Sequence, residues 1–98
     1  MQTLEKEIEQ KLRRAVERND GRCLKWVCPG WAGVPDRIVL LPGARVVFVE
    51  TKRPVGGRLS ALQKKWRGWL SDLGFECWVV WSWADLERFQ TQVLEGCR

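Results

Sequence analysis

An apolar run that ends in two charges is the feature that most constrains this chain. Residues 46–49 read VVFV, and a β-branched and aromatic run of this kind is typical of a strand buried on both faces of a sheet. Glu50 and Lys52 follow immediately, where an ionised side chain is costly unless something compensates it. Because side chains alternate along a strand, these two charges lie on the same face. The run therefore predicts a strand whose end carries a charged cluster.

A second apolar run precedes this strand and predicts a hairpin. The sequence DRIVLL at 36–41 forms one strand, PGA at 42–44 forms a tight turn, and 45–52 forms the next strand. Antiparallel pairing then places Asp36, at the start of the first strand, opposite Glu50, near the end of the second. Two carboxylates with thirteen residues between them are thus expected to converge.

Helical spacing and turn residues place the other elements. Gly21 is expected to cap the first helix at its C-terminus, and Ser60 with Gln63 forms a capping box at the start of another helix. The predicted elements are a helix at 3–18, strands at 24–28, 36–41, 45–52 and 75–81, a helix at 60–73, and a last helix that begins after Ser82.

This order predicts an α/β fold with an αβββαβ core and an extra C-terminal helix. The helix at 60–73 crosses over between the third and fourth strands, so these two strands are expected to be parallel within a mixed four-stranded sheet flanked by helices. A chain of 98 residues fits one domain, 1–98, with a single core.

The composition limits the chemistry that is open to the chain. There is no histidine, and none of the four cysteines forms a CxxC pair, so a zinc finger or a Ser-His or Cys-His catalytic pair is hard to build. The cysteines are expected to be small buried side chains and not disulfides. Carboxylates and lysines must therefore carry any catalysis.

The charge and hydropathy of the chain predict its partners. Seventeen basic and twelve acidic residues give a net charge of +5, which favours a polyanion such as nucleic acid. No apolar run approaches the ~20 residues of a membrane helix, and the charged N-terminus lacks the apolar region of a secretory signal. We expect a soluble, cytoplasmic protein without a membrane partner.

The converging carboxylates favour a divalent cation. Asp36 and Glu50 would repel each other at close range, and a hard cation such as magnesium or manganese bound between them removes that cost. A nearby ammonium on Lys52 suits metal-assisted phosphodiester hydrolysis. Alternatively, Glu50 and Lys52 form a solvated ion pair at a fraying strand end, and Asp36 is an ordinary turn residue.

The segment GVPDRIVLLPGARVVFVETKRP resembles the VRR-NUC family, the virus-type replication-repair nucleases of the PD-(D/E)XK superfamily. The PD of the family signature is Pro35-Asp36, and its ExK is Glu50-Thr51-Lys52. The resemblance extends through LEKEIEQKL, LKWVCPGWAGVPDR, LSALQKKW and LGFECWVVW, which together cover nearly the whole chain in order. It implies a restriction-endonuclease-like fold.

The resemblance also implies catalytic roles for residues of the hairpin. Asp36 and Glu50 would bind magnesium or manganese, with the backbone carbonyl of Thr51 as a further ligand. Lys52 would assist the attacking water. No organic cofactor is implied.

Two more site residues follow from the resemblance, each with an alternative. A glutamate of the first helix would contribute to the site, and Glu5 and Glu9 lie four residues apart on one helical face. Glu9 fits the family pattern better, although either could be an exposed surface charge. Gln63 would lie near the metal or the scissile phosphate, but the capping box with Ser60 also accounts for a glutamine there.

Several residues that flank the site in sequence are candidate nucleic-acid contacts. The basic ones could bind phosphates or be solvated charges, and the loop tryptophan could stack on a base or fill a subunit interface. These candidates are Arg53, Arg58, Lys64, Lys65 and Trp31.

Stand-alone, phage-like members of this family are similar to homodimeric enzymes that cleave four-way DNA junctions. The resemblance therefore implies a metal-dependent, structure-specific DNA endonuclease that acts on branched DNA, with Holliday junctions as the expected substrate and a homodimer as the expected assembly. Two alternatives remain open: a nuclease specific for flaps or single strands, and a non-catalytic module that binds branched DNA.

Overall fold

A four-stranded mixed sheet forms the centre of the protein. The computed structural model describes residues 4–52 and 57–95. The strands lie in the order β1, β2, β3, β4, with β1 and β4 at the edges. Their bounds are Arg22–Lys25 for β1, Arg37–Leu41 for β2, Arg45–Thr51 for β3 and Glu76–Val80 for β4.

Three helices flank this sheet. Their bounds are Leu4–Arg18 for α1, Ala61–Asp72 for α2 and Trp83–Phe89 for α3, and α3 continues into a π-helical segment at Gln90–Leu94. The predicted capping box begins α2, because the Ser60 hydroxyl accepts from the Gln63 backbone while the Gln63 side chain accepts from the Ser60 backbone. Ser82 caps α3 by accepting a hydrogen bond from the Asp85 backbone.

The topology confirms the predicted fold class. β2 and β3 form an antiparallel hairpin in which Val39 pairs with Val47, and β1 pairs antiparallel with the other edge of β2. The helix α2 connects β3 to β4, and these two strands are parallel, with Val49 opposite Trp78. The chain is an α/β protein with the order αβββαβα.

The apolar core lies between one face of the sheet and the helices α1 and α3. Alternate strand residues point into it, so that each of the four strands contributes to one layer. The predicted apolar faces of the two helices are buried against that layer. The core residues include Ile8, Leu12, Ala15 and Val16 of α1, Val39, Val47, Val49 and Val80 of the sheet, and Leu86, Phe89 and Val93 near the C-terminus.

The opposite face of the sheet packs against α2 through aromatic rings. The Phe48 ring lies 5.1 Å from Trp26 and 5.3 Å from Phe75. Trp26 in turn contacts Trp66 of α2 at 6.1 Å, and Trp66 contacts Trp69 at 5.3 Å. Helical spacing predicts that both α2 tryptophans are buried, which is wrong for Trp69, since 46% of its surface is exposed.

The first strand lies two to three residues closer to the N-terminus than the sequence predicted. It was expected at 24–28, but β1 is Arg22–Lys25, and after the Trp26 N–H donates to the Asp36 carbonyl at 2.8 Å the chain leaves the sheet. Val27 is an apolar residue within the predicted strand, but 69% of its surface is exposed. Apolar character alone therefore misplaced a short edge strand.

The turn after α1 uses two residues for different reasons. Asp20 adopts the left-handed conformation, with φ of 64°, so the expected cap at Gly21 is wrong by one residue. Gly21 is needed because a Cβ there would lie 2.5 Å from the Leu40 carbonyl oxygen and 3.0 Å from Val16 Cγ1. The glycine thus lets α1 approach β2 closely.

The described cysteines behave as small side chains. Cys23 is buried, Cys28 and Cys77 are half-buried, and all three are free thiols, whereas Cys97 lies outside the described residues. Burial raises the pKa of the Cys23 thiol to about 11, which keeps it protonated. Among the described helices, none is both long enough and apolar enough to span a membrane.

Candidate active site

The hairpin brings Asp36 and Glu50 together. The pairing of β2 with β3 ends at Arg37 and Val49, and directly beyond it the backbone N–H of Asp36 donates to Glu50 Oε1 at 3.2 Å. Asp36 is half-buried, while only 2% of Glu50 is exposed. The structure thus places both carboxylates at the same end of the hairpin.

Glu50 is a buried carboxylate held by three donors. In addition to the Asp36 N–H, its Oε2 accepts a 2.6 Å hydrogen bond from Gln63 Nε2 and lies 3.3 Å from Lys52 Nζ. Burial, and then the neighbouring Asp36 charge, raise the pKa of Glu50 from its ordinary 4.5 to about 7, a rise that Lys52 only partly offsets. A positive charge placed between Glu50 and Asp36 would relieve this cost.

Thr51 connects the hairpin to α1. Its backbone N–H donates to Asp36 Oδ2 at 3.1 Å, and its hydroxyl lies 3.2 Å from the same oxygen and 3.1 Å from Glu9 Oε2. The residue is fully buried. A hydroxyl has one proton and donates it to one of these two carboxylates at a time. The contacts of Thr51 with Glu9 and Asp36 hold α1 against the end of the hairpin.

Three carboxylates gather at this point. Glu5, Glu9 and Asp36 are half-buried, and each offers an oxygen within 4.8 Å of the oxygens of the other two. Both helix-one candidates therefore reach the site. Glu50 is not a member of this group and adjoins it through the Asp36 backbone.

The donor set fits a hard divalent cation. Magnesium and manganese prefer carboxylate and carbonyl oxygens, and the described residues around Asp36 supply these without a histidine or a thiolate. The buried, charge-crowded Glu50 adds a second reason, since a cation at its side would offset both burial and repulsion. The metal set of Asp36, Glu50 and the Thr51 carbonyl stays a prediction.

Gln63 uses both ends of its side-chain amide. Its Oε1 accepts from the Ser60 backbone N–H at 2.7 Å, which closes the capping box, and its Nε2 donates to Glu50 at 2.6 Å. The capping explanation is thus confirmed, while a role for Gln63 beside a metal or the scissile phosphate stays a prediction. The capped end of α2 fixes the amide so that its donor points at the site.

Arg37 is a site residue that the sequence patterns did not single out. Its Nη2 lies 3.6 Å from Glu9 Oε2, and it lines a shallow depression beside Glu9 together with Lys6, Gln10 and Arg13. Two features of the sequence place basic residues beside the candidate carboxylates. Arg37 directly follows the PD pair, and Arg13 lies four residues after Glu9 on one helical face. Basic side chains thus flank the carboxylates on the α1 side.

The predicted nucleic-acid contacts lie on the α2 side. Arg58, Lys64 and Lys65 are exposed there, and Lys65 Nζ lies 5.8 Å from the centre of the Trp69 ring. Trp31 is 60% exposed with its ring edge against Trp66 at 5.9 Å. Arg53 lies outside the described residues. Their roles as phosphate and base contacts stay predictions.

The raised pKa of Glu50 predicts how the metal-free protein responds to pH. Because the folded-state pKa is about 7 and the ordinary value is 4.5, the folded protein binds more protons between these values. The contribution of Glu50 to stability is fully present below about pH 4.5 and is lost as the pH rises through about 7, with a slope of at most about 1.4 kcal/mol per pH unit.

Urea unfolding in a chelator at several pH values measures this dependence. Glu50→Gln should flatten the loss of unfolding free energy between pH 5 and pH 7, because an amide cannot titrate. A variant whose slope matches that of the unsubstituted protein would show that Glu50 ionises normally in the fold.

Two comparisons with known proteins match this chain. A curated phage protein, "Putative nuclease p44" of Acyrthosiphon pisum secondary endosymbiont phage 1, is 46% identical over 50 residues, which is 51% of this chain and 54% of that protein. The chain thus aligns with about half the length of this relative. No family model matches the sequence.

The fold itself has a close structural counterpart. A solved VRR_NUC domain superposes with a TM-score of 0.87 at 23% sequence identity, covering 94% of this chain and 99% of that domain. The match spans the sheet, the hairpin and the flanking helices together. The chain therefore has the fold of the VRR_NUC domain, and the resemblance in its sequence is confirmed at the level of the fold.

Proposed function

We propose that this protein is a metal-dependent, structure-specific DNA endonuclease that cleaves four-way junctions as a homodimer. The observation that carries the proposal is the convergence of Asp36, Glu50 and Lys52 at the end of one hairpin. A buried acid of raised pKa beside a second acid and an ammonium is an arrangement that enzymes use and that a purely structural ion pair does not need.

Each residue has a distinct part in the proposed hydrolysis. Asp36 and Glu50 hold negative charge at fixed positions, which the Thr51 N–H and the Gln63 amide orient. The Lys52 side chain is 18% exposed and its Nζ is held 3.3 Å from Glu50, so the ammonium can position a water and offset negative charge that develops on the phosphate. A magnesium or manganese ion would supply the Lewis acid that polarises the phosphate.

Glu9 and Arg37 extend the same site toward α1. Glu9 adds a third carboxylate through the Thr51 hydroxyl, which favours the binding of a cation. Arg37 partly neutralises Glu9 and also offers a guanidinium to a phosphate backbone that crosses the site. A net charge of +5 supports a nucleic acid as the substrate, and the printed name of the phage relative describes a nuclease.

The layout of the described residues and the symmetry of a dimer both support the proposed preference for branched DNA. Among the described residues, no separate recognition element stands apart from the sheet and its helices, which suits reading of shape through phosphates. A two-fold dimer would present two active sites to the two symmetric strands of a four-way junction.

The catalytic assignment predicts the behaviour of two variants. Asp36→Asn and Lys52→Ala should each reduce the rate of DNA cleavage by at least about 10²–10³-fold, because each removes a charge that acts at the reacting phosphate. Binding of junction DNA in a gel shift should persist. Asp72→Asn, an exposed carboxylate at the end of α2, is the matched control and should cleave normally. Near-normal turnover of either site variant would show that the hairpin site is misassigned.

The double role of Gln63 predicts a second pair of variants. Ser60→Ala and Gln63→Ala both weaken the cap of α2, and each should lower stability by roughly 0.5–2 kcal/mol. Only Gln63→Ala removes the donor to Glu50, and it should slow cleavage by roughly 10–100-fold, whereas Ser60→Ala should stay near the rate of the unsubstituted protein. Equal losses of activity would assign Gln63 to the cap alone.

Substrate specificity is tested with a panel of labelled DNAs. A four-way junction, a flap, a single strand and a linear duplex are incubated with and without magnesium or manganese, and products are resolved by gel. We expect cleavage of the junction that depends on the cation. Equal cutting of all forms would end the junction proposal, faster cutting of flaps or single strands would favour the alternative nuclease, and binding without cutting would indicate a non-catalytic module.

A further inference from the structure

One half of the α2 side of the sheet carries apolar side chains that no described helix covers. Alternation along the strands turns Leu24 of β1 and Leu40 of β2 away from the core, and they are 48% and 40% exposed. Trp69 on α2 is 46% exposed, Phe75, which follows α2 in the chain, is 41% exposed, and Trp31 is 60% exposed. These five residues define what is here called the open face.

A row of packed side chains lies beneath the open face and connects Leu24 with its aromatic members. Leu24 pairs with Ile38, and Ile38 pairs with Phe48, so a row of side chains crosses the sheet. Phe48 contacts Phe75 at 5.3 Å. From Phe48 the row of rings passes through Trp26 and Trp66 to Trp69 and Trp31, with centroid distances of 5.1 to 6.1 Å.

The charge on the sheet half of this surface, around Leu24 and Leu40, argues against nucleic acid as its occupant. Of the described strand residues that point to this side away from Glu50, Arg22 alone is charged. Lys65 borders the edge of the surface at Trp69. A DNA backbone needs several cations within reach of its phosphates, and this part of the sheet provides one.

The size of the surface approaches the apolar part of one side of a protein dimer interface. Aromatic side chains bury roughly 150–250 Å² each, so the three aromatic members, each about half exposed, offer roughly 300 Å² of apolar area, to which Leu24 and Leu40 add. A standard interface buries about 800 Å² per partner, of which about 57–65% is non-polar. Aromatic rings are also the side chains that dominate such interfaces.

We infer that the open face is the two-fold interface with a second copy of this chain. The inference rests on the homodimeric part of the proposed function and supplies its interface. An isologous contact buries the same patch on both protomers, which a surface with few charges permits because it brings few like charges together. Leu24 and Leu40 form its sheet half, and Phe75 and Trp69 form its helix half.

This placement sets both active sites beside the interface. The Trp26 backbone N–H binds the Asp36 carbonyl at 2.8 Å, and the Trp26 ring lies between Phe48 and Trp66 under the open face. α2, which carries Gln63 to Glu50, also carries Trp66 and Trp69. Dimerisation would therefore hold two sites at a fixed separation on one rigid frame.

Light scattering and sedimentation of two variants test the interface. The unsubstituted protein should have twice the 11.4 kDa mass of the chain at micromolar concentration. Leu24→Glu and Leu40→Glu should each raise the dimer Kd at least about tenfold, since each would bury an unpaired carboxylate on both sides of the interface. Trp83→Glu is the matched control, because Trp83 is 42% exposed on α3 beside Lys11, and it should remain a dimer.

The outcomes separate the interface from the enzymatic proposal. Monomeric behaviour of the unsubstituted protein, alone and on junction DNA, would overturn both the interface and the homodimer. Dimers of both open-face variants would overturn the interface alone. Absence of cleavage by a protein whose open-face variants become monomers would refute the nuclease and leave the interface supported.

A second measurement serves if either variant loses its folded circular-dichroism spectrum. Hydroxyl-radical footprinting of the unsubstituted protein compares concentrations above and below the dimer Kd. Trp31 and Trp69 should be protected at the higher concentration, while Trp83 should be modified equally at both. Equal modification of all three tryptophans would overturn the inference.

Discussion

The hydrogen bonds that Asp36 makes to the opposite strand are the constraint on which the site depends. Its Oδ2 accepts from the Thr51 backbone at 3.1 Å while its own N–H donates to Glu50 at 3.2 Å, so each of the two carboxylates is held by a backbone N–H of the other strand segment. The Thr51 hydroxyl then connects this pair to Glu9 on α1. A helix distant in sequence is thereby fixed against the end of the hairpin, where the chemistry is proposed to occur.

The burial of Glu50 explains why so many donors converge there. An ionised carboxylate that is 2% exposed is unfavourable, and the rise of its pKa to about 7 expresses that cost. Gln63 and Lys52 offset part of it, and a bound cation would offset the rest. The apolar strand fixes the position of these charges, and the same apolar surroundings raise the pKa of Glu50.

The two faces of the sheet are covered to different extents. On one face, α1 and α3 cover a layer of valines and leucines, which supplies the apolar core. On the other face, α2 covers only part of the sheet, and the remainder carries aromatic rings and two leucines. The first face thus supplies most of the apolar core, and the second face remains available for the inferred second copy.

Sequence by itself determined the hairpin, the capped crossover helix and the pairing of Asp36 with Glu50, because strand alternation, turn residues and caps act over a few residues. It could not show that Gln63 contacts Glu50, locate Arg37 beside Glu9, end β1 at Lys25 or tell that Trp69 is exposed. Those outcomes depend on which side chains meet across the fold. Only the tertiary structure decided them, since helical and strand periodicity specify which face a residue occupies but not what covers that face.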